Sequence, residues 1–542
     1  MSAHTSLFDW TAGFPLANSL AVTENLIGWQ VIYTPLRLLG AGIPAAYNTL
    51  ILVSLVLSGI GAALLAQRMG ASRAGAAAAG LLFGFGPFHL NHLLHLQTMA
   101  VCWIPFAILF LDRYLDSRSP KDAVGLAASV VIASLSAMYL LLFLGLMLPL
   151  YAILCWVFGR YRFQRRALVG LIATGAVTVA VLMPIIAHYL RFNAEVGYHA
   201  SARTLANFSM EVVAPLHAPA WMRSWSWSLL VRTSNWRSQL TNTSAFPGLV
   251  ALALAIYGIV AWRRARETRS VIWIMLSLLI VSYVLALGPL LKPLNLDVVN
   301  LPSWFPLPGK LWLIVPGVRW PMRIFFFGWL AASILSGIGL TALLRRAGTN
   351  HSVVAVIVLL LIAIEIRPNS MLAAESREAP PPMSLSDAYP YLAREADRGG
   401  IVELPTADAS GWRTPLMTRY IYASSAHLRR IVSLHGSVIP PLTDTLLSAA
   451  NSLPESMGVL ATHGVTRVVV HRSLMPADVA ARLINSIQAA GYPLLFSGHE
   501  GAVFATSDRS PVTGHRSPVA GSREPVTVLP TGMVSALLKV VY

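Results

Sequence analysis

The chain has 542 residues, 56% of them hydrophobic and 12% charged, with a mean hydropathy of +0.63. Apolar runs long enough to cross a bilayer make it a polytopic membrane protein rather than a soluble domain. Its formal charge of +17 would suit nucleic acid on a soluble chain, but the arginines collect in short loops between apolar runs. There they orient membrane helices, and nucleic acid is excluded as a partner.

The opening stretch "MSAHTSLFDWTAGFPLANSLAVTENLIGWQ" has neither a basic region followed by an apolar core nor a span of its own. Asp9 and Glu24 are the only acids among residues 1–45, and Glu24 stands where Thr23 is able to cap a helix. Apolar segments follow at 46–66, 74–88, 96–112, 123–138, 141–157, 167–190, 246–262, 271–288, 322–343 and 352–366. Each suits a hydrocarbon core of about 30 Å with tilt or slight thinning. The stretch 123–157 reads as a tight hairpin turning near Ser136 and Tyr139, because the Arg-bearing loops 113–122 and 158–166 share a side only if it crosses twice. Cys102 and Cys155 fall inside apolar runs and form no disulfide framework.

With the Arg-rich loops in the cytoplasm, the outer face holds residues 1–45, the turn 89–95, the loops 191–245 and 289–321, and the tail from 367. The turn carries His89, His92 and His95 at a spacing of three, which would bring all three rings to one groove if the segment is helical throughout. The loop 191–245 mixes Trp221, Trp225 and Trp227 with arginines and is expected to lie on the membrane plane. In the tail, "GGIVELP", "RRIVSLHG", "VTRVVVHR", "YPLLFSG" and "AVFATS" read as short strands and "MPADVAARLINSIQAAG" as an amphipathic helix. Together they predict an α/β domain over 385–508, followed by a Pro/Ser-rich extension over 509–542.

The order "LFDW…FP…NSLAVTENLIG", "AAYNTLILVSLVLSGIGAALLAQR", "LLFGFGPFHLNHLLHLQTMAVCWIPFAILFLDRYL", "FPGLVALALAIYG" and "PGVRWPMRIFFFGWLAASILSGIGLTALL", with a tail holding "IVELP" and "GVTRVVVHR", resembles the GT-C superfamily of glycosyltransferases and its YfhO-like circle. The resemblance covers nearly the whole chain. It implies a GT-C-like α-helical polytopic membrane protein with about ten transmembrane helices, a transmembrane domain over 46–366 and a small C-terminal α/β extracytoplasmic domain. It further implies a bacterial cytoplasmic membrane location, an outward-facing active site, a polyprenyl-phosphate-linked sugar as donor, an envelope glycan or lipid as acceptor, and inverting transfer. Such enzymes commonly carry an acidic base or metal ligand in the first outer loop. Here residues 1–45 look like the remnant of that loop, with the first helix expected upstream.

Transfer from such a donor develops oxocarbenium character on the sugar and negative charge on the departing phosphate, so a carboxylate base near the acceptor and cations near the phosphate are both useful. Glu24, then Asp9, is the candidate base; helix capping is the competing role of Glu24. His92 and His95 are candidates near the reacting groups, against the alternative of interfacial histidines bonded to backbone carbonyls. Arg319 and Arg323 flank Pro321 at the mouth of the ninth span and are candidates for the phosphate, against plain interfacial anchoring beside Trp320. Trp221, Trp225 and Trp227 either shield the donor or anchor the loop. No carboxylate or cysteine lies near the histidines in sequence to complete a zinc set, so no metal site is assigned, although a divalent cation is compatible with the chemistry. P-loop, dinucleotide, HExxH and GxSxG motifs are absent. A non-catalytic relative that binds or organises lipid-linked glycan is the alternative, and a transporter, which calls for paired broken spans and mid-span charges, the third reading.

Overall fold

The computed structural model describes residues 8–93, 95–197, 201–216, 218–219, 222, 245–261, 269–292, 308–315, 318–368, 380–407, 414–434 and 440–507. Each expected apolar segment is helical: α1 Ile43–Arg68, α2 Arg73–Phe85, α3 Trp103–Ser117, α4 Pro120–Ser136, α5 Tyr139–Val157, α6 Arg165–Val196, α7 Leu249–Ala261, α8 Arg269–Ala286, α9 Phe326–Ala347 and α10 His351–Glu365. The stretch 123–157 is indeed two helices, parted at Ala137 and Met138, where Ala137 takes an extended backbone. Among the described residues six helical stretches are long and apolar enough to cross a membrane. By contrast α2 and α7 have 13 residues each. At 1.5 Å per residue they reach only about 20 Å, short of the hydrocarbon thickness. Lipid-facing character is plainest on α6, where Ile172, Val177 and Val181 are 58–63% exposed.

The chain forms two compact units: one holds the residues up to Asn25, Ile185–Gly197 and the tail from Glu378, the other Leu26–Pro184 and Tyr198–Arg377. In the second unit small residues let backbones meet, as membrane helices require in the absence of a hydrophobic drive between them. A Cβ on Gly337 of α9 would lie 2.5 Å from the Gly75 carbonyl of α2, and one on Gly75 would lie 2.3 Å from the Gly337 carbonyl. Toward the end of α3, Asp112 is wholly buried and takes hydrogen bonds from Arg68, Tyr151, Arg160 and Tyr161 at 2.6–3.1 Å. Glu365 at the end of α10 accepts the backbone N–H groups of Leu249 (2.6 Å) and Val250 (3.0 Å), capping α7 from outside that helix.

The first unit is built on β1 Gly400–Leu404, β2 Val465–His471, β3 Leu494–Ser497 and β4 Gly501–Ala505, in the order β1-β2-β4-β3. β1 and β2 run parallel, while β4 is antiparallel to both its neighbours. The expected strand in "RRIVSLHG" is reduced to single parallel bridges of Ile431 to Ile401 and to Ala12. Its backbone is shared between two neighbours, Ile431 N–H going to Thr11 and Val432 N–H to Ile401, and it follows Leu428 at φ 56°. The expected helix after the second strand is α15 Ala477–Ala489, preceded by α11 Ala388–Arg394, α12 Thr414–His427, α13 Pro441–Ala450 and α14 Met457–Thr462.

Residues 8–25 contribute to this unit's core. Phe8, Trp10 and Ala12 are buried in one cluster with Phe192, Tyr389, Tyr420, Val469 and Val503. Residues 26–45 fall in the other unit, where Gln30–Leu38 is a short helix. The extension 509–542 lies outside the described residues.

Candidate functional site

The histidine turn is set by Gly86 and Pro87. Gly86 is extended (φ −76°, ψ 165°), and a Cβ there would sit 2.1 Å from the Leu82 carbonyl and 2.5 Å from the Trp329 ring. Pro87 then starts a one-turn helix, Pro87–Leu90, as its fixed φ favours. The segment 89–95 is not helical throughout: after Leu90 the chain turns, and His95 is extended (φ −121°, ψ 92°) ahead of the helix Leu96–Met99. The condition for one helical face shared by the three rings is therefore not met. Packing collects them instead.

His89 and His92 are fully buried and lie 5.5 and 5.3 Å from the Phe326 ring at the start of α9. Their Nδ1 atoms meet the carbonyls of Phe83 (3.1 Å) and Phe88 (2.8 Å). A carbonyl only accepts, so each Nδ1 carries the proton and each neutral ring presents a lone pair on Nε2. Neither Nε2 has a hydrogen-bond partner among the described residues. His95 is half-buried, its ring centroid 5.6 Å from that of Trp320.

Arg323 completes the cluster. It lies on the 3-10 turn Pro321–Phe325, is 5% exposed, and holds its guanidinium carbon 4.4 Å from the Trp320 ring and 5.2 Å from the Tyr139 ring. Its charge acts on His92. Its Nε has no hydrogen-bond partner among the described residues, and no ion pair to it is formed there. Trp320 stacks in turn on Phe208 at 4.3 Å, and the Met322 N–H bonds the Phe208 carbonyl. The arrangement is a desolvated cation framed by two aromatic rings, with two neutral imidazoles beside it. Such a cation attracts an anion strongly, because among the described residues no carboxylate pairs with it to offset its burial.

Arg319, two residues before that 3-10 turn, is half-buried. Glu24 and Asp9 belong to the first unit, the histidines and Arg323 to the second. No helix begins at Glu24: a 3-10 turn, Ser19–Val22, ends just before it with Thr23 as its C-cap. Asp9 already accepts the Asn18 N–H on Oδ1 (2.8 Å). Asn18 also meets Nδ1 of His188 at 2.6 Å, and the His188 ring stacks on Phe8 at 4.2 Å. Trp221, Trp225 and Trp227 lie outside the described residues. Among the described residues no group of three or more His, Cys, Asp or Glu is placed to hold a metal ion. Sequence reasoning missed Tyr139 and Phe208, whose only signal is an aromatic residue beside a loop, and treated Trp320 as an anchor rather than as the surface carrying Arg323.

The sequence model of a family described as "Domain of unknown function (DUF6311)" matches residues 36–367. No curated protein matches the chain. Among solved structures, ArnT from Cupriavidus metallidurans bound to undecaprenyl phosphate is similar at 12% identity and a TM-score of 0.45, over 90% of this chain and 94% of that one. The same protein in its apo state is similar at 13% identity and a TM-score of 0.40, over 89% and 87%. At these scores the likeness says nothing about individual site residues.

Proposed function

This chain belongs to the DUF6311 family, whose description assigns no activity, and from its own residues we propose a membrane glycosyltransferase that moves a sugar from a polyprenyl-phosphate donor to an envelope glycan or lipid. The reaction is placed on the outer face of a bacterial cytoplasmic membrane, as the Arg-rich loops and the resemblance to GT-C enzymes favour. The observation that carries the reading is Arg323: a buried guanidinium on an aromatic frame, without an acid paired to it among the described residues. A phosphate arriving there removes the cost of the isolated charge and gains bidentate hydrogen bonds. As the glycosidic bond breaks, charge grows on the phosphate, so the same contact strengthens toward the transition state. His92 and His95 are assigned to the polar groups around the phosphate and sugar, with Arg319 as a second cation. The base that accepts the acceptor hydroxyl's proton is assigned to Glu24, since Asp9 is engaged by Asn18; the Trp221, Trp225 and Trp227 segment is assigned to shielding.

The test is transfer from a labelled polyprenyl-phosphate sugar by the protein reconstituted in lipid, alongside binding of labelled polyprenyl phosphate. Arg323→Gln should lower both by about a hundredfold, roughly 2.7 kcal/mol, with Arg323→Lys intermediate. Unchanged binding and transfer in Arg323→Gln would remove the assignment. A second reading, lipid-phosphate binding without transfer, is favoured by the commitment of Asp9 to a backbone N–H; wild-type binding with no transfer to any acceptor would select it.

A further inference from the structure

A pocket on the C-terminal α/β unit, remote in sequence from the histidine turn, has a volume of about 330 Å³ and is lined by Asp387, Pro390, Tyr391, Arg394, Glu395 and Phe496. One wall is α11 and the other the first strand of the β3–β4 hairpin. The Tyr391 and Phe496 rings stack at 5.2 Å and 23°, giving a continuous apolar surface that is only partly buried. Beside it, Asp387 is held in place by the hairpin: Oδ2 accepts the Glu500 N–H at 3.0 Å, and a Cβ on Gly498 would come 2.2 Å from that oxygen. Its other oxygen, Oδ1, has no hydrogen-bond partner among the described residues. Arg394 is exposed at the rim, whereas Glu395 is occupied by Arg429 and Arg467, both at 2.5 Å.

An aromatic face, a fixed carboxylate with an unsatisfied oxygen and a free-standing guanidinium form the chemistry that recognises a polyol ring. C–H faces of a pyranose pack on the aromatic surface, while hydroxyls donate to the carboxylate and accept from the guanidinium. The volume is at the lower end for ligand sites, which limits the occupant to about one ring. We propose that this pocket binds a single neutral sugar unit of the acceptor glycan, holding it to the C-terminal unit. The inference rests on the glycan-handling reading of the protein but concerns a different set of residues.

The test uses the full chain in lipid nanodiscs and saturation-transfer difference NMR. The probes are the methyl glycosides of glucose, galactose, mannose and rhamnose, with N-acetylglucosamine, and inorganic phosphate as anion control. At least one sugar should bind, and Arg394→Ala and Asp387→Asn should each weaken it fivefold or more while hydrogen exchange of the unit stays unchanged. Arg323→Gln should leave this binding as it was. Absence of binding by every sugar, equal affinity in both variants, or binding of phosphate alone overturns the proposal. Sugar binding with no polyprenyl-phosphate binding or transfer rejects the transferase reading alone, and transfer without sugar binding here rejects this pocket alone.

Discussion

Asp112 shows how a single buried charge is held in this protein. Its carboxylate, fully buried, accepts Nε of Arg68 (2.8 Å), Nε and Nη2 of Arg160 (2.8 and 3.1 Å), and the hydroxyls of Tyr151 (2.6 Å) and Tyr161 (2.8 Å). Removing the charge leaves cations without a partner, at a cost of about 3–5 kcal/mol. Asp112→Asn is therefore expected to lower the unfolding temperature of the purified protein markedly, and an unchanged midpoint would show the network to be dispensable. In the α/β unit, burial and the charges of Arg429 and His471 bring His427 down to about 3. The unfolded chain, titrating near 6.5, binds the proton first, so stability rises with pH between about 3 and 6.5 and is lost on acidification through that window, by roughly 1.4 kcal/mol per unit. Amide exchange of residues 400–505 should accelerate from pH 6.5 downward, and His427→Phe should flatten that dependence. The tail histidines look scattered in sequence. The fold stacks His427 on Tyr389 (5.3 Å) and His471 on Tyr420 (5.3 Å), with His471 Nε2 3.3 Å from buried Glu403.

At the scale of elements, the helices were readable because apolar length is a local property of the chain. Their junctions were less so. The hairpin 123–157 followed from loop charge, whereas the path of the histidine turn did not follow from spacing, since a spacing of three fits a helix whether or not Gly86 and Pro87 restart the chain just before it. Close approach decides other pairs. Gly337→Val would drive side-chain atoms into the Gly75 carbonyl, 2.5 Å from the Cβ position, and overpacking of this kind costs about 1–3 kcal/mol or more. Loss of folded protein in detergent is expected for Gly337→Val and little change for Gly145→Ala, where nothing lies within 4 Å of the Cβ position. Equal yields would mean that α2 and α9 separate without penalty.

For the whole molecule, one compact unit gathers residues up to Asn25, Ile185–Gly197 and the tail from Glu378. Segments sharing a core lie on one side of a membrane, so the chain crosses an even number of times between each pair of them. Phe163, between α5 and α6, is expected on the other side if α6 crosses on its way to the Ile185–Gly197 segment. In a background free of Cys102 and Cys155, Ala17→Cys and Val479→Cys should react together with a membrane-impermeant maleimide from outside the cell, and Phe163→Cys only after permeabilisation. Labelling of Ala17→Cys and Val479→Cys from opposite sides would dismantle the unit.

The sequence by itself determined that this is a helical membrane protein with a small α/β tail, because hydropathy, arginine placement and strand-like runs are properties of neighbouring residues. Only the tertiary structure decided that Phe8, Trp10 and Ala12 join the tail's core, that Tyr139 and Trp320 frame Arg323, and that Thr23 closes a 3-10 turn instead of opening a helix. Those facts depend on residues tens to hundreds of positions apart meeting under close packing, and no local pattern in the chain encodes such meetings.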